Sequence, residues 1–162
     1  MAKPDALERF CAAAAELGVD VDYVLYPEGT RTAADAAIAV GCEVSQIAKS
    51  LVVVGPDGPF LALTAGHNRL DTDRLAKVVG GSVTMSDANT AREATGFSIG
   101  GTPPFGHPAP LPTFMDPDLL EHEIVYGAAG TNDSCFPIDP KTLRDVTSAT
   151  VFAFTAGEST RG

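Results

Sequence analysis

The sequence predicts one α/β domain in which helices surround a mixed, largely antiparallel sheet. Stretches with apolar residues at helical spacing alternate along the chain with short β-branched runs, the order expected when helices pack on a sheet. Near the middle, the runs 48–54 and 60–64 flank Gly55-Pro56-Asp57-Gly58, a hairpin signal that makes these two strands antiparallel. The 162 residues, 44% of them hydrophobic, suffice for one core, and no repeat, linker or low-complexity block divides them. The domain is expected to span residues 1–155, with 156–162 a small, polar, flexible tail.

The elements follow in order. Leu7, Phe10, Cys11, Ala14 and Leu17 recur at helical spacing between Pro4 and Gly18, so residues 5–17 predict an amphipathic helix. Val19, Val21, Tyr23 and Leu25 alternate with polar residues as in a half-buried strand that Pro27 ends. Thr32 is placed to cap a second helix that Gly41 stops, and a short turn covers 44–47. After the hairpin, Asp71 caps a helix over 70–79 that ends at Gly80-Gly81; a brief strand spans 83–85, and Ser86 caps a helix ending at Gly96. Residues 111–115, 123–128 and 135–138 read as strands, Asp139-Pro140 as a helix start, and 151–154 as a closing strand.

Charge and cysteine content exclude several classes. Eleven Lys and Arg against 21 Asp and Glu leave a net charge of −10, which opposes a broad electrostatic grip on nucleic acid and disfavours DNA as a partner. Cys11, Cys42 and Cys135 are odd in number and widely spaced, giving neither a disulfide framework nor a CxxC motif, as expected of a cytoplasmic protein. The alanine-rich N-terminal stretch is broken by Glu8, Arg9 and Glu16, and no run is long enough to span a bilayer, so no membrane association is expected. Three histidines without HxxxH, HExxH or cysteine partners predict no metal site, and neither a dinucleotide fingerprint nor a P-loop is present. No cofactor is implied. A nucleophilic pair of Cys135 with His67, His107 or His122 lacks a local signature.

Two features carry chemistry. Ser98 to Asp116 is too rich in glycine and proline for helix or central strand, so it forms a shaped loop. Its amides around Gly100 and Gly101 suit a carbonyl or phosphate oxygen or a water; a rigid surface crossover is the alternative. Lys49 enters an apolar strand, where an ammonium needs an anion or several acceptors unless it snorkels at the strand end.

Together, the runs 47–53, Gly66 to Leu75, Thr95 to Gly106 and Ala129-Gly130-Thr131 resemble the YbaK/prolyl-tRNA editing domain family over roughly residues 19–154. The family comprises aminoacyl-tRNA deacylases, free-standing or inserted in prolyl-tRNA synthetases. The resemblance aligns the family lysine with Lys49 and its GxxxP loop with Gly100 to Pro104. It implies hydrolysis of a mischarged tRNA ester, with a small amino acid carried on tRNA(Pro) or a related tRNA. Lys49, Gly100 and Gly101 are the implied catalytic residues; Ser50, Thr102, Pro104, Gly130 and Asp133 the implied substrate contacts. Ser50, Phe97 and Ile99 are candidates to shape the pocket, although Ser50 could equally point into the fold, and His107 has no assigned role. The implied partners are the aminoacylated acceptor end and, for tRNA selection, a synthetase. A non-catalytic module binding an aminoacyl group or tRNA 3′ end through the same pocket is the alternative function.

The acidic total confines phosphate contact to Lys49 and a few residues such as Arg31, Arg69 or Arg74. Binding of tRNA across a salt series should therefore show a slope of about one to three phosphates, with an acceptor-stem minihelix binding as well as the full tRNA. A steep slope with a much weaker minihelix would contradict this.

Overall fold

The computed structural model describes residues 5–26 and 32–158. Five helices are described: α1 (Ala6–Glu16), α2 (Ala33–Val40), α3 (Thr72–Val79), α4 (Ala88–Thr95) and α5 (Pro140–Thr147). The strands are β1 (Val24–Leu25), β2 (Ile47–Gly55), β3 (Gly58–Ala65), β4 (Asn68–Leu70), β5 (Thr84–Met85), β6 (Thr113–Met115), β7 (Val125–Ala128), β8 (Ser134–Ile138), β9 (Thr150–Val151) and β10 (Thr155–Glu158). Short 3₁₀ turns occupy Val44–Gln46 and Pro117–Glu121.

The main sheet has the order β1-β8-β7-β2-β3-β6-β9, with β5 also paired to β2, while β4 and β10 form a separate pair. The β2–β3 hairpin is antiparallel and closes on Gly55 opposite Gly58. Pairings β2–β7, β3–β6 and β6–β9 are parallel, so the sheet is mixed as predicted. Helix starts also follow the sequence signals: Thr32 and Asp71 accept backbone N–H groups in the first turns of α2 and α3. For α4 the cap is Asp87 rather than Ser86, because Asp87 Oδ1 accepts the Thr90 amide at 2.7 Å while Ser86 donates its hydroxyl to the Asp87 carbonyl.

Apolar residues collect on both sides of the sheet. The larger cluster joins Phe10 and Ala14 of α1 to Phe105, Phe136, Leu61, Leu63 and Met115, with Phe10 lying 4.9 Å from Phe136 and 5.3 Å from Phe105 by ring centroids. The smaller joins Val53, Phe60, Ala62, Leu75, Val83 and Phe154. Alternation along β2 divides its side chains between them, Val52 to the first and Val53 to the second.

Three further expectations change. The strand expected over 19–25 is reduced to Val24–Leu25, because the Val19 amide turns back to the Ala14 carbonyl at 2.9 Å and closes the helix end. The closing strand is only Thr150–Val151, after which Phe154 enters the smaller core. The tail expected over 156–162 starts within a strand: residues 155–158 form β10, which pairs antiparallel with β4. That pair was invisible in the sequence because both strands are very short and polar. Residues 159–162 lie outside the described set.

Phe154 is fully buried directly before β10, so it anchors this terminal segment. Phe154→Ala should cost about 3–5 kcal/mol in urea denaturation, the range for an emptied aromatic site. A cost below about 1 kcal/mol would show that this segment is not part of the cooperative core.

Candidate active site

The site grows from a gap in the pairing of β2. On one edge β2 is bonded to β3 from Ala48 to Gly55. On the other, β7 pairs only with Ile47 and Ala48, and β5 only with Val53 and Val54. Among the described residues, no strand lies beside 49–52 on that edge. The Val52 carbonyl accepts the Ser86 amide at 3.0 Å on the same side, so by the two-residue period the Ser50 backbone N–H and C=O face the open edge. The Ser50 hydroxyl is buried and finds no hydrogen-bond partner among the described residues.

A cavity of about 690 Å³ lies against this edge. Its lining includes Lys49, Ser50, His67, Ile99, Gly100 and Thr102, with Ala33, Ala34 and Ala36 from the α2 segment and Ser134 and Cys135 of β8. This volume lies within the range of about 300–1,000 Å³ for pockets that enclose a small ligand.

Lys49 is half-buried, and its Nζ donates to the Asn68 carbonyl at 2.8 Å. Burial lowers its pKa from the usual lysine range; the Asp116 carboxylate opposes this and Arg69 adds to it. Asp116 is 1% exposed, and its Oδ2 accepts from the Ala65 amide at 3.1 Å and from Asn68 Nδ2 at 2.9 Å. Asn68 Nδ2 also donates to Asp118 Oδ2 at 2.7 Å, and that oxygen lies 3.6 Å from His67 Nε2.

The Gly/Pro loop is a tight turn set into the fold. The Gly101 amide donates to the Ser98 carbonyl at 3.0 Å, Gly100 takes φ +91°, and the Thr102 hydroxyl also donates to the Ser98 carbonyl at 3.0 Å. Beyond the turn, residues 101–105 are buried, and Phe105 enters the larger core. The Gly101 amide is therefore occupied, whereas the amides of Gly100 and Thr102 have no acceptor among the described residues.

The structure thus gathers Lys49, Ser50, Gly100 and Thr102 around one cavity and leaves the other four implied residues out of its lining. A Cβ on Gly101 would lie 2.8 Å from Thr131 Cα and 2.9 Å from the Gly130 carbonyl, so this glycine permits backbone packing. Gly130, at φ +109°, likewise lets Ala6 approach: its added Cβ would lie 2.5 Å from the Ala6 carbonyl. Pro104 packs against Gly127, and Asp133 is exposed, with Oδ1 accepting from the Thr131 hydroxyl at 2.5 Å. Phe97 is in the core and does not line the cavity, whereas Ile99 does. His107 lines a second cavity of about 220 Å³; its Nε2 lies 2.8 Å from the Pro103 carbonyl, which fixes Nε2 as the protonated nitrogen, and burial lowers its pKa.

Sequence reasoning missed Asn68, Asp116 and Asp118, which fall between elements in the sequence and whose contacts span 48 to 50 positions. Cys135 is a buried thiol whose pKa burial raises, opposite to the shift a nucleophilic thiolate needs. Among the described residues, no group of three or more His, Cys, Asp or Glu is arranged to hold a metal ion, and no helix is long and apolar enough to cross a membrane. Arg74 is paired with Asp71 at 3.6 Å, and Arg31 lies outside the described residues.

Comparison with known proteins gives a consistent picture. Residues 27–146 match the aminoacyl-tRNA editing domain family. A solved structure of a proposed trans-editing enzyme for prolyl-tRNA synthetase is similar at 42% identity and a TM-score of 0.91, covering 96% of this chain and all of that one. YwhH of Bacillus subtilis is 30% identical over 81% of this chain and 84% of its own length. A proposed Cys-tRNA(Pro)/Cys-tRNA(Cys) deacylase, EbsC of Enterococcus faecalis, is 27% identical over 82% of each.

The two loop glycines should separate on substitution. Gly101→Ala forces a methyl group into backbone and should lower the melting temperature by about 5 °C or more. Gly100→Ala meets only Asn132 Cβ at 3.8 Å and bears only the strain of its left-handed backbone, so its loss should be smaller. Thermal unfolding checks the order, and a Gly101→Ala protein as stable as the wild type would contradict the packing role.

Proposed function

Because the chain belongs to the aminoacyl-tRNA editing domain family, we propose that it is a free-standing deacylase that hydrolyses the ester between a small amino acid and the terminal ribose of a mischarged tRNA. The observation that carries this reading is the meeting, in one cavity, of the half-buried Lys49 ammonium with the Ser98–Gly101 turn. Lys49 attracts a phosphate or the ester oxygen, and the partly desolvated setting strengthens that attraction. The Gly100 and Thr102 amides are the candidate donors to the tetrahedral oxyanion, in place of the occupied Gly101 amide.

In the reaction, water oxygen adds to the ester carbon, the bond to the ribose oxygen breaks, and a proton from the water reaches that oxygen. Free amino acid and a deacylated tRNA result. The family resemblance assigns the proton handling to the ribose hydroxyl and bound water. Ser50 offers its hydroxyl and open backbone groups to the aminoacyl moiety. Gly101, Pro104 and Gly130 act through the shape of the loop, and Asp133 through its bond to Thr131.

The small side chains of Ala33, Ala34 and Ala36 line an apolar wall that selects by size, the basis of a second sieve. The name of EbsC gives tRNA(Pro) and tRNA(Cys) and that of the solved structure gives prolyl-tRNA synthetase, which together support tRNA(Pro) or a related tRNA as the carrier, with a synthetase as the candidate partner for tRNA selection.

A panel of aminoacyl-tRNAs, followed for loss of the acyl group, tests the reading. Deacylation should be restricted to small amino acids, fall about 100-fold or more in Lys49→Ala with the fold retained, and be insensitive to a chelator. Full activity in Lys49→Ala would remove the assignment, and binding of aminoacyl-tRNA without any deacylation would favour the non-catalytic module.

A further inference from the structure

We propose that Asn68 and Asp116 are positioning residues for Lys49, fixing where its ammonium points and the field in which it sits. For its catalytic consequence the proposal rests on the deacylase reading.

Asn68 is 2% exposed and is held from two sides. Its side-chain amide donates to Asp116 Oδ2 at 2.9 Å and to Asp118 Oδ2 at 2.7 Å, and its backbone carbonyl receives Lys49 Nζ at 2.8 Å. The orientation of the residue that grips the lysine is therefore set by two carboxylates brought in from the far side of β3. Asp116 is itself fixed by three donors: the Ala65 amide and Asn68 Nδ2 on Oδ2, and the Asp118 amide at 2.9 Å on Oδ1. Loss of one would leave the others to hold it.

The charges around Lys49 act in opposition. Burial and the nearby Arg69 disfavour its ammonium, and Asp116 favours it. Asp118 stands one step further out, sharing Asn68 with Asp116 and lying 3.6 Å from His67 Nε2. Without Asp116, the hydrogen bond to the Asn68 carbonyl remains to favour the ammonium against burial and Arg69. A buried carboxylate here is costly, and its link to Lys49 through Asn68 gives it a role besides capping the turn at Pro117.

Lys49 is one of four lysines, so its titration can be followed directly. The lysines are reductively dimethylated with ¹³C, the Lys49 signal is assigned with Lys49→Arg, and wild type, Asp116→Asn and Asp118→Asn are titrated by NMR. The Lys49 midpoint should move to lower pH in Asp116→Asn and move less in Asp118→Asn. Asp116→Asn should lose deacylation activity on its alkaline side at lower pH than the wild type, in step with the shifted Lys49 midpoint, a displacement of the pH profile that a purely structural defect would not show. An unchanged midpoint in folded Asp116→Asn overturns the proposal. Should that variant fail to fold, Asn68→Ser decides: it keeps the carbonyl but frees its tether, so kcat should fall with KM within about twofold, and an unchanged kcat overturns the proposal. The titration requires no tRNA. A shifted midpoint in a protein whose wild type deacylates nothing supports the positioning role while sinking the deacylase reading.

Discussion

Strand β2 is bonded to β3 along its length but meets neighbours on its other edge only near its ends, and the site depends on that inequality. A continuous strand on that edge would consume the Ser50 backbone groups and fill the space beside Lys49. A missing β3 would leave β2 too weakly held to place either residue. Full pairing on one side provides rigidity, while the interruption on the other provides a concave wall whose polar groups are not already used.

Around this gap the polar groups are arranged by long-range contacts. Lys49 could not rest half-buried without an acceptor, and the Asn68 carbonyl supplies one because two carboxylates hold the Asn68 side chain. The loop is fixed in a similar way. Gly101 lies against the backbone at Gly130 and Thr131, and Gly130 lies against the first turn of α1, so helix, β7–β8 connection and loop form one stack of backbones. The glycines here are needed for close approach.

Local chemistry explains why much of this was legible in the sequence. Asp71 and Thr32 as caps, left-handed Gly41, Gly80 and Gly96 as helix stops, and the 55–58 turn all depend on residues within a few positions of one another. Lys49 stood out because a charge in an apolar strand demands a partner. The partner itself was not legible: Asn68 and Asp116 are 48 residues apart, and nothing local distinguishes a network-forming Asp116 from an ordinary turn aspartate. For the same reason the role of Gly101 could not be separated from that of Gly100; both suit a tight turn, and only the neighbouring chain shows which one is pressed against backbone. β4 and β10 escaped because short polar strands have no period to read.

The turn and the rim of the cavity differ in a way that bears on the proposed deacylation. Ser98 accepts from both the Gly101 amide and the Thr102 hydroxyl, so the directions of the amides at 100 and 102 are set before any ligand arrives. Donors fixed in advance need no reorganisation when charge develops, which is where electrostatic stabilisation has its largest effect. Ile99 and Met85, by contrast, line the same cavity while remaining 58% and 50% exposed. Apolar side chains held open to water have contact area still to gain from a ligand. Ligand binding can therefore draw on the burial of the rim, while the ordering of the turn has already been met by folding, so binding energy is not spent on shaping the turn.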